Sequence, residues 1–182
     1  MSEGTSTSAA VGTWTIDPSH QSFEFVARHL MAKVRGRFLQ VRGEAHIAEV
    51  PEQSTVEIEI EAASVTTNEP TRDGHLRSPD FFDVERFPTI GFRSTGVRPA
   101  GPDAWKLDGE LTIRGISRPV TLDLEFLGAA TDPYGNPKLG FSASAEVNRL
   151  DWDLKWNAPL ETGGFLLANK VRLEIEAELN RT

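Results

Sequence analysis

The sequence predicts an all-β fold: about eight antiparallel strands closed into an up-and-down barrel, with a short helical connection at about residues 68–87. Three observations carry this expectation. From Trp14 onward apolar and polar residues alternate with a period of two, the mark of strands with one buried face and one wet face. Clusters of Gly, Pro, Asn and Asp separate the runs, so that neighbours in sequence become antiparallel neighbours in space. No amphipathic helix is long enough to cover so much apolar sheet, so the sheet must bury that face against itself. A sandwich would also do this, but a barrel removes the exposed edges as well.

The elements follow in order. In "SFEFVARH", Phe23, Phe25 and Ala27 share one face. Around "VRGRFLQVRGEAHI" the apolar parity shifts from Val34 and Phe38 to Leu39, Val41, Ala45 and Ile47, which predicts a bulge between Gly36 and Leu39. "VEIEIEA" sets Val56, Ile58, Ile60 and Ala62 against Glu57, Glu59 and Glu61; a helix would scatter these residues round its axis, so a strand is expected despite the poor strand propensity of Glu.

In the connection, Asn68 is the expected N-cap before "EPTRDGHLR", Asp73 and Arg77 stand at i,i+4, and Ser78-Pro79 is a second helix-start signature. Phe87 precedes Pro88, which favours extended backbone and restarts the sheet. Next come "TIGFRS" (Ile90, Phe92), "GELTIRG" (Leu111, Ile113), "VTLDLEF" (Val120, Leu122, Leu124, Phe126) and "GFSASAEV" (Phe141, Ala143, Ala145, Val147). "RGISRP" and "DPYGNPK" supply hairpin turns between them. "WDLKW" puts Trp152, Leu154 and Trp156 on one strand face, and "VRLEIEAEL" ends the barrel with Val171, Leu173, Ile175, Ala177 and Leu179 inward. Residues 1–11 are expected to be a disordered segment and residues 12–182 a single barrel domain.

Composition narrows function. A net charge of -8 and a pI near 5.0 oppose nucleic-acid binding, which is dominated by cations that release phosphate counterions. The absence of cysteine removes disulfides, thiolate metal sites and a cysteine nucleophile. No apolar run approaches the ~20 residues needed to span a bilayer, so the chain is not expected to be membrane-integral. "MSEGTSTSAAVG" lacks the basic and apolar regions of a secretory signal, so the expected location is cytoplasmic. The four histidines, His20, His29, His46 and His75, show no metal-site spacing, and no nucleophile elbow or phosphate loop occurs. Neither a metal, a catalytic residue nor a cofactor is expected.

A barrel of this strand number either fills its interior with side chains or holds one small ligand. For a hollow barrel, the expected strand wall is Phe23, Phe25, Met31, Val34, Phe38, Ile90, Phe92, Leu111, Ile113, Phe126, Phe141 and Trp152. Leu76, Phe81, Phe82 and Phe87 would cover one mouth, as a lid or as a plug, with Arg72, Asp73, His75 and Arg77 as its polar network. Arg28, Lys33, Arg35, Arg37 and Arg42 form a cationic island, and Arg35, Arg37 and His75 are candidates for holding a ligand head group. Two other readings stay open: an enzyme acting on an amphiphile with His75 or His20 as base, and a filled barrel whose outer face binds a protein.

"WTIDPSHQSFEFVARHL", "TTNEPTRDGHLRSPDFFDVERFPTIGFRS", "GELTIRGISRPVTL" and "GFSASAEVNRLDW" together resemble the YceI-like family of lipocalin-like polyisoprenoid-binding proteins, over roughly Gly12 to Leu179. The second string is the most specific, with Asn68, Arg72, Asp73, His75, Leu76, Arg77 and Ser78 matching the family's segment. The chain departs from the family at Gly74 and at "LDWDLKW", where Asp-Phe-Gly is commoner. The resemblance implies a lipocalin-like barrel whose bound ligand is a polyisoprenoid or isoprenoid quinone, with no catalytic residues. A long-chain isoprenoid lipid is then the expected partner, and a homodimer is compatible with the sequence.

Overall fold

In the computed structural model, which describes residues 9–182, ten strand segments build the eight staves of one closed antiparallel barrel. The first, β1 (Gly12–His29), pairs on one side with the last, β10 (Leu167–Arg181), and on the other with β2 (Ala32–Phe38) and β3 (Val41–Ile47). β2 and β3 are halves of one stave. So are β4 (Thr55–Glu61) and β5 (Val65–Thr66), which pair with β3 and β2 respectively. The meander continues through β6 (Thr89–Gly101), β7 (Ala104–Ile113), β8 (Ile116–Thr131) and β9 (Pro137–Asn148). The β10–β1 pairing closes the ring.

The period-two reading places the staves correctly, and Arg114 and Gly115 both take left-handed φ (52° and 70°) in the expected two-residue hairpin. The bulge lies further along than expected. Phe38 and Val41 are both buried while Leu39 is 55% exposed, so the strand breaks at 39–40. The reason lies across the sheet, where β1 loses register with β10 between Ile16 and Gln21. At that kink Asp17 is buried. Lys138 Nζ (2.8 Å), His20 Nδ1 (3.0 Å) and the backbone N–H of Ser19 (2.9 Å) surround its carboxylate and hold its pKa far below the ordinary value.

Three local expectations are corrected. The N-cap of helix α1 (Pro70–Arg77) is Glu69, whose carboxylate accepts from the N–H groups of Thr71 (3.2 Å) and Arg72 (2.7 Å). Asn68 precedes it in a left-handed conformation. Ser78 starts no second helix: it closes α1, its hydroxyl donating to the His75 carbonyl (2.6 Å). "WDLKW" is not a strand: Trp152 ends a short 3-10 turn, Arg149–Trp152, Asp153 follows at φ 58°, and residues 154–156 are irregular, although Trp152 and Leu154 are buried. Residues 1–8 of the expected disordered segment lie outside the described residues; within the rest, Ala10 is buried and its carbonyl accepts a hydrogen bond from Trp14 Nε1 (2.8 Å).

Asp73 does not pair directly with Arg77, which donates instead to the carbonyls of Ala63 (2.9 Å) and Val65 (3.0 Å). Its own carboxylate is buried and accepts from Thr67 Oγ1 (2.6 Å), Thr67 N (2.7 Å) and Thr66 Oγ1 (3.2 Å), locking α1 onto β5. Burial alone would raise its pKa, but these bonds and the Arg77 charge outweigh burial and lower it. A carboxylate whose folded pKa is depressed adds stability above its unfolded pKa of ~3.9 and loses it as pH falls towards the folded value. Urea unfolding should therefore show stability declining below about pH 4, and Asp73→Asn should cost about 1–3 kcal/mol at pH 7 while flattening that decline. Equal acid sensitivity in the variant would refute this role.

Candidate functional site: an apolar barrel cavity

The barrel is hollow. A cavity of about 780 Å³ runs through it, lined by inward side chains from every stave. Three glycines help to keep it open by letting bulky neighbours lie flat on the wall. A Cβ on Gly36 would lie 2.1 Å from the Phe25 ring, one on Gly109 2.4 Å from the Phe92 ring, and one on Gly43 2.6 Å from Ile58. Rings that rest on the backbone leave the axis of the barrel free.

Of the expected wall, the staves contribute Phe23, Phe25, Val34, Phe38, Ile90, Phe92, Leu111, Ile113, Phe126 and Phe141. The connections contribute Leu76, Phe81 and Trp152. Two expected residues are elsewhere. Met31 sits at the tip of the β1–β2 turn, 94% exposed, because the strand alternation ends before it. Phe87 lies outside the cavity against Gly115, with the Arg86 guanidinium 5.1 Å from its ring centre.

Arg35 and Arg37 are also corrected: both are exposed on the outer face, as their alternation with Val34, Gly36 and Phe38 requires. Arg35 Nη1 is 2.7 Å from both Glu24 and Glu174, and Arg37 donates to the Gln21 carbonyl (2.9 Å). Sequence reasoning missed Trp105 and Leu107 of β7, whose inward parity was legible, and Arg149, which like Arg72, Phe82 and Trp156 comes from the helical and irregular segments between staves.

These irregular segments cover the end of the barrel where β1 finishes. Phe82 reaches in to touch Phe25 and Phe38, with ring centres 6.3 and 5.6 Å away. His75, Phe81 and Trp156 form a second cluster at 4.6–5.5 Å, and His75 Nε2 is 2.8 Å from Asp80. Arg114 ties the loop down by donating to the carbonyls of Pro79 (3.0 Å) and Phe81 (2.8 Å). The anchoring is that of a plug.

Polar groups on the wall are few, and two are guanidiniums. Arg72 donates to the hydroxyl (2.7 Å) and carbonyl (3.1 Å) of Thr67. Arg149 is only 6% exposed, and it donates to the carbonyls of Ala168 (2.9 Å), Trp156 (3.0 Å) and Leu154. Among the described residues it forms no ion pair with a carboxylate, and burial pushes its pKa down. His20, by contrast, is off the wall. It stands with Asp17 and Glu178 in a cluster compact enough to ligate a metal, but the Lys138 ammonium already lies against Asp17.

The profile of the YceI-like domain matches residues 14–179. The chain belongs to the YceI-like family. It is similar to UPF0312 protein SAS2572 of Staphylococcus aureus (strain MSSA476), 35% identical over 92% of this chain and 96% of the relative. The solved structure of Burkholderia cenocepacia BcnA superposes with a TM-score of 0.77 at 18% identity, covering 90% of this chain and 98% of that one. A polyisoprenoid binding domain from Saccharophagus degradans superposes with a TM-score of 0.71 at 12% identity, covering 94% and 99%. These two likenesses establish the shared barrel. Among the described residues no helix is long and apolar enough to cross a membrane.

Proposed function

We propose that this YceI-like barrel binds and carries a long-chain isoprenoid lipid, with its chain along the cavity and its head group at the helix-covered end. The observation that supports this most is the hollow itself: about 780 Å³ bounded by an almost wholly apolar wall, with few polar side chains to orient a small polar substrate. The Saccharophagus degradans domain, described as polyisoprenoid binding, has the same barrel. Burying about ten carbons at ~0.8 kcal/mol each yields about 8 kcal/mol, in the range of micromolar retention before ordering costs.

Arg149 favours a polyprenyl phosphate over a quinone. A buried cation without a counter-charge is unfavourable, and a phosphate would supply one through charge-assisted hydrogen bonds. Native mass spectrometry of the purified protein, followed by organic extraction, should reveal a bound lipid. In titrations, polyprenyl phosphate should bind about tenfold or more tightly than the neutral alcohol of equal chain length. A protein that takes up neither compound would overturn the lipid-binding function, whereas equal affinity for both would remove only the role of Arg149.

A further inference from the structure

The β1–β2 turn is unusual for a hairpin. Its tip is Leu30-Met31, 51% and 94% exposed, where glycine or asparagine would be expected, and Leu30 takes a left-handed φ of 55° that non-glycine residues rarely adopt. The turn therefore carries two large apolar side chains into solvent at a conformational cost. Leu30 N donates to the Leu166 carbonyl (2.9 Å), which brings the tip beside a second exposed apolar residue, Phe165, 67% exposed. His29, Leu166 and Leu167 at the base of this pair line the cavity.

The charges around the tip are equally ordered. Arg28 and Lys33 are direct cross-strand partners, one on each arm of the hairpin behind its apolar end. Among the described residues neither has a carboxylate within ion-pair distance, whereas Arg35, Arg42, Lys170 and Arg172, further along the staves, are all paired. The neighbouring β9–β10 connection carries Asp151, Asp153 and Glu161 against Arg149 and Lys155, so with Arg28 and Lys33 four cations face three carboxylates here, a small positive excess in a chain of net charge -8. The exposed tyrosine of the β8–β9 turn at the opposite end, Tyr134, instead sits beside the Asp132 carboxylate.

We propose that the Leu30-Met31 tip and Phe165 form a docking surface for a phospholipid bilayer, with the apolar side chains entering the interface and Arg28 and Lys33 meeting lipid phosphates. An apolar tip backed by a pair of unpaired cations matches the layering of a membrane surface, where acyl chains lie beneath anionic head groups. The inference rests on the proposed lipid-binding function, because a cargo insoluble in water has to pass between the cavity and a membrane. The tip would hold the helix-covered end against the bilayer during that transfer.

Vesicle flotation tests this with the full chain, using phosphatidylcholine alone and phosphatidylcholine mixed with phosphatidylglycerol. The wild type should float with both and more strongly with the mixture. The double variant Leu30→Gly/Met31→Ser should lose about tenfold or more in binding, with its melting temperature unchanged or raised because glycine suits the left-handed turn. Arg28→Gln/Lys33→Gln should remove the preference for the anionic mixture. Both variants should take up polyprenyl phosphate from detergent micelles as the wild type does, so a failure of lipid uptake is read separately from a failure of docking. Absence of flotation by the wild type, or equal flotation by the Leu30→Gly/Met31→Ser variant, would overturn the proposal. So would a wild-type dimer in sedimentation that this variant dissociates, since a second copy would then cover the face.

Discussion

Trp152→Ala is expected to lower the unfolding free energy by about 3–5 kcal/mol and the melting temperature by on the order of 10 °C. Trp152 is 2% exposed, and its indole Nε1 donates to the Leu111 carbonyl (2.8 Å), joining the 3-10 turn after β9 to the inner edge of β7. Truncation removes the largest fully buried side chain at this end of the barrel and leaves that carbonyl without its side-chain donor. Both losses act on one site, so their costs combine. Trp152→Phe keeps most of the packing and should recover all but about 1–2 kcal/mol. Trp156→Ala, at a half-buried residue whose indole donates no hydrogen bond among the described residues, should cost much less. Urea denaturation of the three variants distinguishes these cases. Equal stability of Trp152→Ala and wild type would mean that the turn is not docked as described.

Ala143→Trp is expected to weaken isoprenoid binding roughly a hundredfold while leaving the fold intact. Ala143 faces the cavity from β9 between Leu124 and Ile175, its cross-strand partners on either side. An indole there projects into the hollow and displaces about three or four ligand carbons, each worth ~0.8 kcal/mol, or about 3 kcal/mol in all. In a filled core the same substitution would overpack and destabilise by about 1–3 kcal/mol. The experiment thus has two readouts. Lost binding with retained stability supports a ligand-filled hollow, whereas retained binding would place the ligand elsewhere on the protein.

Much of this site was legible in the chain because strand alternation is a local property. Once Phe23 and Phe25 are known to face inward, Glu24 must face outward, and the same rule puts Arg35 and Arg37 on the outer face. Treating those arginines as head-group ligands conflicted with the parity of their own strand. The residues that alternation cannot place lie in the connections. Met31 and Phe87 fall outside the cavity, while Phe82, Trp156 and Arg149 line it. Their directions follow from hydrogen bonds with distant partners, such as Arg114 to Pro79 and Phe81, or Arg149 to Ala168.

By itself, then, the sequence determined an all-β meander, the inward face of each stave and the need to bury that face without helices, since these follow from a two-residue period and from turn chemistry. Tertiary structure alone decided that the inward faces do not meet. Whether side chains touch across a barrel depends on its diameter, and so on closure of β10 against β1. It also depends on Gly36, Gly43 and Gly109, which let bulky side chains lie along the wall. The position of the break at 39–40 and the burial of Arg149 without a carboxylate partner were decided in the same way, because each depends on segments far away in the chain. Distances across a lumen are not encoded in any local pattern.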